Sequence, residues 1–287
     1  MISYNPKDWF AFIFRFHKAD TFRQLLPVII CIGIYTGIIA FLEIEYFKLS
    51  ENHHLKNITI MHSMLGFVIS LLLVFRTNTA YDRWWEGRKQ WGALVNNSRN
   101  LAVKLSAILL EKEDKIFFRK TIPSFAQALS LHLKDEKISH ELFEEFNINV
   151  AHKKHKPNQL VKLMSKKLFE LKRQNKLTDE NLLYINPEMT SFLDICGACE
   201  RIKNTPIPYS YSVFLKKFIF FYVMTLPFGY VFSLGYYTIP VVIFIFYVLA
   251  SLELIAEEIE EPFGNDENDL PTQRMAENIK KNIEEIL

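Results

Sequence analysis

The feature that most constrains this chain is an abrupt change from apolar to charged residues inside one run, residues 57–91. Its first part, 57–75, contains no Asp, Glu, Lys or Arg, and it is long enough to cross the roughly 30 Å hydrocarbon core of a bilayer. The charged part begins at Arg76, and neither part contains proline. We therefore predict one helix, roughly 50 Å long at ~1.5 Å per residue, that extends beyond the membrane.

Bulky side chains recur on one face of the apolar part, at Phe67, Leu71 and Phe75. Spacings of four residues place them on one helix face. Such a face can contact lipid or another helix, as apolar stripes on membrane helices usually do. Alternatively, several copies of it can surround an axis and form a hydrophobic constriction. Small residues, which allow close helix approach, form a second stripe at Ser63, Gly66 and Ser70.

Four apolar segments are predicted to span a membrane. They are residues 25–42, 57–75, 213–234 and 239–256. The last two share one uncharged run, 218–252, which is too long for a single crossing, so we predict a hairpin turn near Gly235–Thr238. Three cysteines and no evident secretory signal indicate a reducing compartment around most of the chain.

Lysine and arginine near the ends of these segments predict their orientation. Basic residues cluster before the first span, after the second and before the third. Both termini should therefore face the cytoplasm, with a cytosolic or interfacial segment at 1–24, a large cytosolic region at 76–212 and a cytosolic segment at 257–287. This arrangement corresponds to a multi-pass protein of the inner (plasma) membrane.

The 76–212 region has helical periodicity throughout. Apolar residues at helical spacing include Leu101, Leu105, Ile108 and Leu109, then Ile122, Phe125, Ala126 and Leu129, then Leu160, Leu163, Met164, Leu168 and Leu171. No period-two alternation is present, so we predict an all-α protein. The basic run 151–157 is predicted to be a solvated loop.

Two short motifs offer metal ligands but lack a complete set. His152 and His155 form an H-x-x-H pair without a third ligand, and Cys196 with Cys199 gives one C-x-x-C pair. One pair cannot fill a tetrahedral zinc site, so small side chains that pack a helix explain the cysteines better. No nucleophile–base set or intramembrane carboxylate pair is found, so we expect no enzyme. The net charge of +2 gives no case for nucleic-acid binding.

Two further segments have a distinctive composition. Pro206 and Pro208 enclose Ile207, and the two prolines predict an extended turn that holds this residue rigidly on the cytosolic side of the third span. Residues 261–271 combine glycine with closely spaced carboxylates, which can supply oxygen ligands to a hard cation. The order does not match an EF-hand, because the glycine precedes the acids.

These segments together resemble the bestrophin family of ion channels, in its bacterial branch. The resemblance is carried by residues 9–26, 75–92, 200–208 and 261–271, which follow the family's order along nearly the whole chain. It implies an all-helical homopentamer with four transmembrane helices per chain, a large cytosolic helical region and one axial pore. It implies membrane lipid and monovalent ions as partners, with chloride the best-known ion of the family.

The resemblance also assigns roles to residues. The family's neck is lined by three apolar rings, whose positions match Phe67, Leu71 and Phe75. A lower aperture matches Ile207. Animal members hold calcium in the acidic loop, where Asp266 and Asp269 fall on the two side-chain ligand positions. Bacterial members need not be calcium-gated, and the acidic run here is sparser, so no cofactor is expected to be required.

Three interpretations of function remain open on the sequence. A channel of this family could pass chloride or, as in some bacterial relatives, sodium, because the proposed neck holds no fixed charge that would select either sign. A third interpretation is a non-conducting membrane scaffold or regulator whose cytosolic helices bind a partner.

Overall fold

The computed structural model describes residues 21–48, 58–136 and 155–287. Within these ranges the chain contains helices and no strand, so the all-α prediction is confirmed there. The α-helices are Thr21–Phe41 (α1), Ile58–Ile108 (α2), Lys112–Leu133 (α3), Lys156–Arg173 (α4), Asp179–Asn204 (α5), Tyr209–Leu234 (α6), Thr238–Glu260 (α7) and Thr272–Ile286 (α8). A π-helical turn, Leu42–Tyr46, extends α1, and a 3-10 turn, Gly235–Tyr237, separates α6 from α7.

The chain divides into two compact units. A polar unit comprises Arg83–Thr205 and Glu261–Leu287. An apolar unit comprises the described residues among 21–82 together with Pro206–Glu260. The long helix α2 contributes to both, because its residues 58–82 belong to the apolar unit and its residues 83–108 to the polar unit.

Three helical stretches of the described chain are long and apolar enough to cross a membrane. They are Thr21–Tyr46, Ile58–Ile108 and Tyr209–Glu260. The last stretch is interrupted by the 3-10 turn, where Gly235 has φ +54°, a left-handed conformation that glycine adopts without steric cost. Helices α6 and α7 on either side of this turn pack against each other, as a hairpin requires.

The apolar unit has its own hydrophobic core. Helix α7 packs on α1 and α6, and branched aliphatic side chains fill the space between the helices, chiefly Ile29, Ile32, Ile69, Leu73, Leu215, Ile219, Val223, Leu226 and Val242. Many other large apolar side chains of this unit are exposed in the single chain. That exposure suits helices whose remaining faces meet lipid or other subunits.

The polar unit is built around α3, which packs against α4 and α8. The periodic apolar residues predicted from the sequence lie in this core, including Leu101, Ile122, Phe125, Leu160 and Met164, all of them fully buried. Helix α5 begins with a capping box, in which Thr178 and Asn181 exchange side-chain and backbone hydrogen bonds. This arrangement satisfies N–H groups that the first helical turn leaves free.

Several helix boundaries differ from the predicted spans. Helix α1 begins at Thr21, so the end of the predicted 1–24 segment is helical, while residues 1–20 lie outside the described chain. Helix α6 begins at Tyr209 rather than at 213. Helix α7 continues to Glu260, beyond the predicted end of the span at 256, and in this last turn the carboxylate of Glu260 pairs with Arg76.

Helix α8 adds to the predictions, which place a cytosolic segment of unspecified structure at residues 257–287. Its buried residues Ala276, Ile279 and Ile283 are spaced at i, i+3 and i+7, the pattern of an amphipathic helix. They pack into the core of the polar unit beside α3. Leu287 also takes part, because Arg119 donates a hydrogen bond to its backbone oxygen.

Candidate functional site

The predicted neck residues lie on a face of α2 that contacts little else in the chain. Phe67 is 72% exposed, Leu71 45% and Phe75 56%. At ~100° per residue they fall within an arc of about 80°. The fully buried positions Ile69 and Leu73 lie on the roughly opposite side of the same helix. In the single chain this face therefore points outward, where lipid, another subunit or the water of a pore can contact it.

At the small-residue stripe, Gly66 lies next to the side chain of Tyr222 on α6. A Cβ atom at Gly66 would stand 2.8 Å from the hydroxyl oxygen of Tyr222, so a larger residue there would require this tyrosine side chain to shift. The other two members behave differently. Ser63 and Ser70 are exposed and donate hydrogen bonds to carbonyl oxygens of their own helix, those of Thr59 and Gly66.

The residue after the neck stripe, Arg76, is almost fully buried. Its Nη2 atom lies 2.7 Å from Oε2 of Glu260, and its Nε atom lies 3.5 Å from Oε2 of Glu253. Both carboxylates come from the last turns of α7. A buried guanidinium is tolerated only when carboxylates compensate its charge, so this cluster fixes α2 against α7 at the base of the apolar stripe.

Glu260 also holds the predicted aperture residue. Its Oε1 atom accepts a hydrogen bond of 2.6 Å from the backbone N–H of Ile207. Residues 205–208 are non-helical between α5 and α6, as the two prolines predict. One carboxylate thus contacts both Arg76 and the turn that carries Ile207. No sequence pattern predicts this link, because the three residues are far apart along the chain.

The acidic loop after α7 is folded around Asp269. Oδ2 of Asp269 accepts the N–H of Asp266 at 2.5 Å, and a Cβ atom at Gly264 would stand 2.8 Å from the same oxygen. The loop is closed by a hydrogen bond of 2.9 Å from the N–H of Leu270 to the carbonyl of Pro262. The indole N–H of Trp84 donates to the carbonyl of Asn268 at 3.0 Å, which anchors the loop to α2.

Two buried oxygens of this loop, Oδ1 of Asp269 and Oε2 of Glu267, have no hydrogen-bond partner among the residues that the structure describes. Burial raises the pKa of Asp269 to about 6. Orphaned carboxylate oxygens of this kind fit a hard cation such as calcium. Asp266 is exposed and Asp269 is buried, so the two predicted ligands lie in one loop but in different surroundings.

The cysteine pair has the predicted structural role. Cys196 and Cys199 lie on α5, buried and not disulfide-bonded. Burial raises the pKa of the Cys196 thiol to about 12 and that of Cys199 further. Both thiols are therefore protonated near neutral pH, and they pack in the core of the polar unit.

The structure describes one of the two histidines of the H-x-x-H motif. His152 lies outside the described residues. His155 caps the N-terminus of α4 and also contacts Glu200, as does His132 from α3. His155 thus meets two potential metal ligands from other helices, and no spacing in the sequence indicates that His132, His155 and Glu200 meet.

Replacing Arg76 should be strongly destabilising. Arg76→Met leaves two buried carboxylates without a counter-charge, and breaking a buried ion pair in this way costs about 3–5 kcal/mol. Arg99→Met is the matched control, because Arg99 is exposed and contacts only the side chain of Asn96 in the described chain. Thermal unfolding of the purified protein should show a large drop for the first variant and little change for the second. Equal melting temperatures would contradict the assignment.

Asp269→Asn should stabilise the protein above pH ~6. The folded-state pKa of about 6 exceeds the ordinary 3.8, so folding favours the protonated acid, a contribution present below pH ~4 and lost as pH rises through ~6. Asparagine keeps an oxygen for the Asp266 N–H and is never charged. The gain near pH 8 should reach at most about 3 kcal/mol.

The measurement is thermal unfolding with a calcium chelator present across pH 4–8, a range that includes the interval between the two pKa values. Asp194→Asn, at an exposed position of α5, is the control and should leave the pH profile unchanged. A variant that tracks the original protein at every pH would show that the Asp269 carboxyl is not destabilised by burial.

Comparison with known proteins identifies relatives that match nearly the whole chain. A family model described as Bacterial/Fungal Bestrophin protein matches residues 1–285. A voltage-dependent anion channel-forming protein of Nostoc sp. is 35% identical over 290 residues, which cover 98% of this chain and 92% of that protein. A protein of the same description from Synechocystis sp. is 32% identical over 295 residues, covering 99% and 94%.

A solved structure extends the likeness to three dimensions. The crystal structure of a bacterial bestrophin homologue from Klebsiella pneumoniae matches with a TM-score of 0.79 and 26% sequence identity, over 91% of this chain and 98% of that chain. The resemblance noted in the sequence is confirmed by a match that covers nearly the whole length, and the chain belongs to the bestrophin family of membrane proteins.

Proposed function

We propose that this chain forms an anion-selective channel, as a homopentamer with a single axial pore in the plasma membrane. The observation that carries the proposal is the outward face of α2, where Phe67, Leu71 and Phe75 are 72%, 45% and 56% exposed. In an assembly around an axis, five copies of this face would form three successive apolar rings. The relatives in Nostoc and Synechocystis, described as anion channel-forming proteins, support conduction of anions.

A ring of apolar side chains can control conduction by dewetting. Water and ions in a narrow apolar passage lose hydration and gain no polar partner, so the passage stays dry until it widens. Residues 57–75 contain no charged group that would hold an ion there. The neck therefore acts as the barrier, and Ile207 forms a second, cytosolic constriction.

The ion pairs of Arg76 with Glu253 and Glu260 hold α2 against α7 directly after the last residue of the proposed neck. Because Arg76 follows Phe75 directly, any movement of Glu253 or Glu260 acts on the last neck position through the same helix. Glu260 binds both Arg76 and the N–H of Ile207, so the neck and the aperture share one anchoring carboxylate. Arg76, Glu253 and Glu260 are positioning residues, and none of them is proposed to contact the permeating ion.

Charge selectivity must come from outside the neck. The first charged side chain after Phe75 is Arg76, and its positive charge is offset by two carboxylates. Charges at the pore entrances would therefore set the preference for anions. A sodium-permeable channel of the same fold is the alternative outcome that the experiment below distinguishes.

The membrane arrangement follows from charge and hairpin geometry. Helices α1, the first part of α2, α6 and α7 are proposed as four crossings, with both termini in the cytoplasm. The turn Gly235–Tyr237 carries no charge, while Lys216 and Lys217 lie near the start of α6, which supports a cytoplasmic start for that crossing. No cofactor is proposed as a requirement for conduction. If calcium binds, Asp266 and Asp269 are its proposed ligands.

Conduction and selectivity are tested together by reconstitution. The purified protein is placed in a planar bilayer under a potassium chloride gradient, and the reversal potential is measured. A reversal potential close to the chloride equilibrium value supports the proposal, while one close to the potassium value would establish a cation channel. Absence of current from an intact pentamer would instead favour a non-conducting scaffold.

Leu71→Ala should raise single-channel conductance. Removing the isobutyl group from the middle ring widens the neck and lowers the dewetting barrier. Ile34→Ala is the matched control, because Ile34 is an exposed apolar residue on α1 and is not on the pore-facing stripe. Conductance should rise by several-fold in the first variant only. Unchanged current through a correctly assembled Leu71→Ala channel would contradict a neck at this position.

A further inference from the structure

Three side chains that offer metal ligands meet in the polar unit, away from the proposed pore residues. Nε2 of His132 lies 2.7 Å from Oε1 of Glu200, and Nε2 of His155 contacts the same oxygen. The three ligand atoms lie within 4.8 Å of one another. His132 is at the end of α3, His155 is the N-cap of α4, and Glu200 lies near the end of α5. We propose that this cluster binds a divalent transition metal ion, with zinc as the preferred ion.

The donor set suits zinc. Two imidazoles and one carboxylate are a common protein ligand set for zinc, which binds such nitrogens and oxygens at about 2.0–2.2 Å. Ligand atoms around a tetrahedral ion are roughly 3.4 Å apart at those bond lengths. The present hydrogen-bonded atoms need to separate by no more than about 1 Å. Each side chain is about one-third exposed, which leaves a path for the ion and a fourth position for water.

Without metal, the same groups form hydrogen bonds to one oxygen. Burial alone would raise the pKa of the Glu200 carboxyl, but the two imidazole N–H groups facing its Oε1 hold that pKa below its ordinary value. When a metal ion binds, each neutral imidazole offers Nε2 to the ion and carries its single proton on Nδ1 instead, since imidazole binds metals through an unprotonated nitrogen. Nδ1 of His155 accepts a weak hydrogen bond of 3.3 Å from the N–H of Asn158. That bond is lost when the single proton of His155 moves from Nε2 to Nδ1, a small cost at an exposed helix end.

The two basic side chains near Glu200 on α5 are paired with acids. Lys203 donates to the carbonyl of His132, but its charge is paired with Asp135 at 2.6 Å. Arg201 is likewise paired with Glu86 at 2.6 Å. Glu200 therefore keeps an unshared negative charge when the two histidines are neutral, and a bound divalent ion compensates that charge.

Two other metal sites compete with this one. An H-x-x-H chelate would use His152 and His155, while a thiolate site would use Cys196 and Cys199. The buried thiols have a raised pKa and lie in a packed core, so they are poorly suited to bind an ion from solution. The proposed site differs from both because it needs Glu200 and His132, which neither competitor uses.

Binding would tie together three helix ends. Glu200 lies four residues before α5 ends at Asn204, and His155 is the first described residue after the interval 137–154. A metal ion bound by all three would hold the C-terminus of α3, the N-terminus of α4 and the last turn of α5 in one arrangement. Ligand binding to the folded state should therefore raise the melting temperature.

The experiment uses the full-length purified protein, treated with chelator and titrated with zinc chloride. Elemental analysis should give one tightly bound zinc ion per chain, and zinc should raise the melting temperature. His155→Asn removes a ligand but keeps a good N-cap residue, and Glu200→Gln keeps hydrogen bonding without the charge. Each variant should weaken zinc binding by at least the roughly 10–100-fold that second-shell losses cause, and should abolish the zinc-induced shift in melting temperature.

His152→Asn and Cys196→Ser are the controls, and both should bind zinc like the original protein. Cobalt gives a second readout, because a tetrahedral cobalt spectrum should be present in the controls and absent in His155→Asn and Glu200→Gln. Oligomeric state by size-exclusion chromatography verifies that each variant is folded. The proposal is overturned if folded protein binds no zinc, if binding survives either ligand variant, or if His152→Asn or Cys196→Ser abolishes it.

Discussion

The structure of the apolar unit depends on the pairing of one buried cation. Arg76 ends an apolar run within a continuous helix, and its guanidinium cannot be buried without carboxylates. Glu253 and Glu260 of α7 supply them. This pairing fixes the rotation of α2 about its own axis, because turning Arg76 inward turns the opposite face outward. Phe67, Leu71 and Phe75 are thus exposed because the charge of Arg76 is paired on the other side of α2.

The same pairing explains why two distant parts of the proposed pore can act together. Glu260 accepts the N–H of Ile207 while it binds Arg76, so a single side chain contacts the base of the neck and the turn between α5 and α6. In the proposed channel, a stimulus that shifts α7 would act on both constrictions at once. The proposed metal site belongs to the polar unit and rests on different residues, so either proposal can fail without the other.

The sequence predicted the features that depend on local pattern. The uninterrupted long helix, the turn at Gly235, the helical core residues such as Phe125 and the shared face of Phe67, Leu71 and Phe75 all follow from spacing, hydropathy and glycine or proline placement. The partners of Arg76 could not be predicted, because any of several carboxylates near the end of α7 could have turned inward. His132, His155 and Glu200 are brought together by the packing of three helices, and no local sequence motif predicts that packing. The roles of the neck residues come from family resemblance and remain proposals.

The most direct test of the central claim is chemical access to Leu71 from water. Leu71→Cys is prepared in a Cys31→Ser background, since Cys31 is the exposed cysteine of the chain, and a charged, membrane-impermeant thiol reagent is applied during current recording. If the outward face of α2 lines the pore, the reagent should change the current irreversibly, while Ile34→Cys in the same background should be unaffected. A conducting Leu71→Cys channel whose thiol reacts only with lipid-soluble reagents, with no change in current under the charged one, would contradict the account.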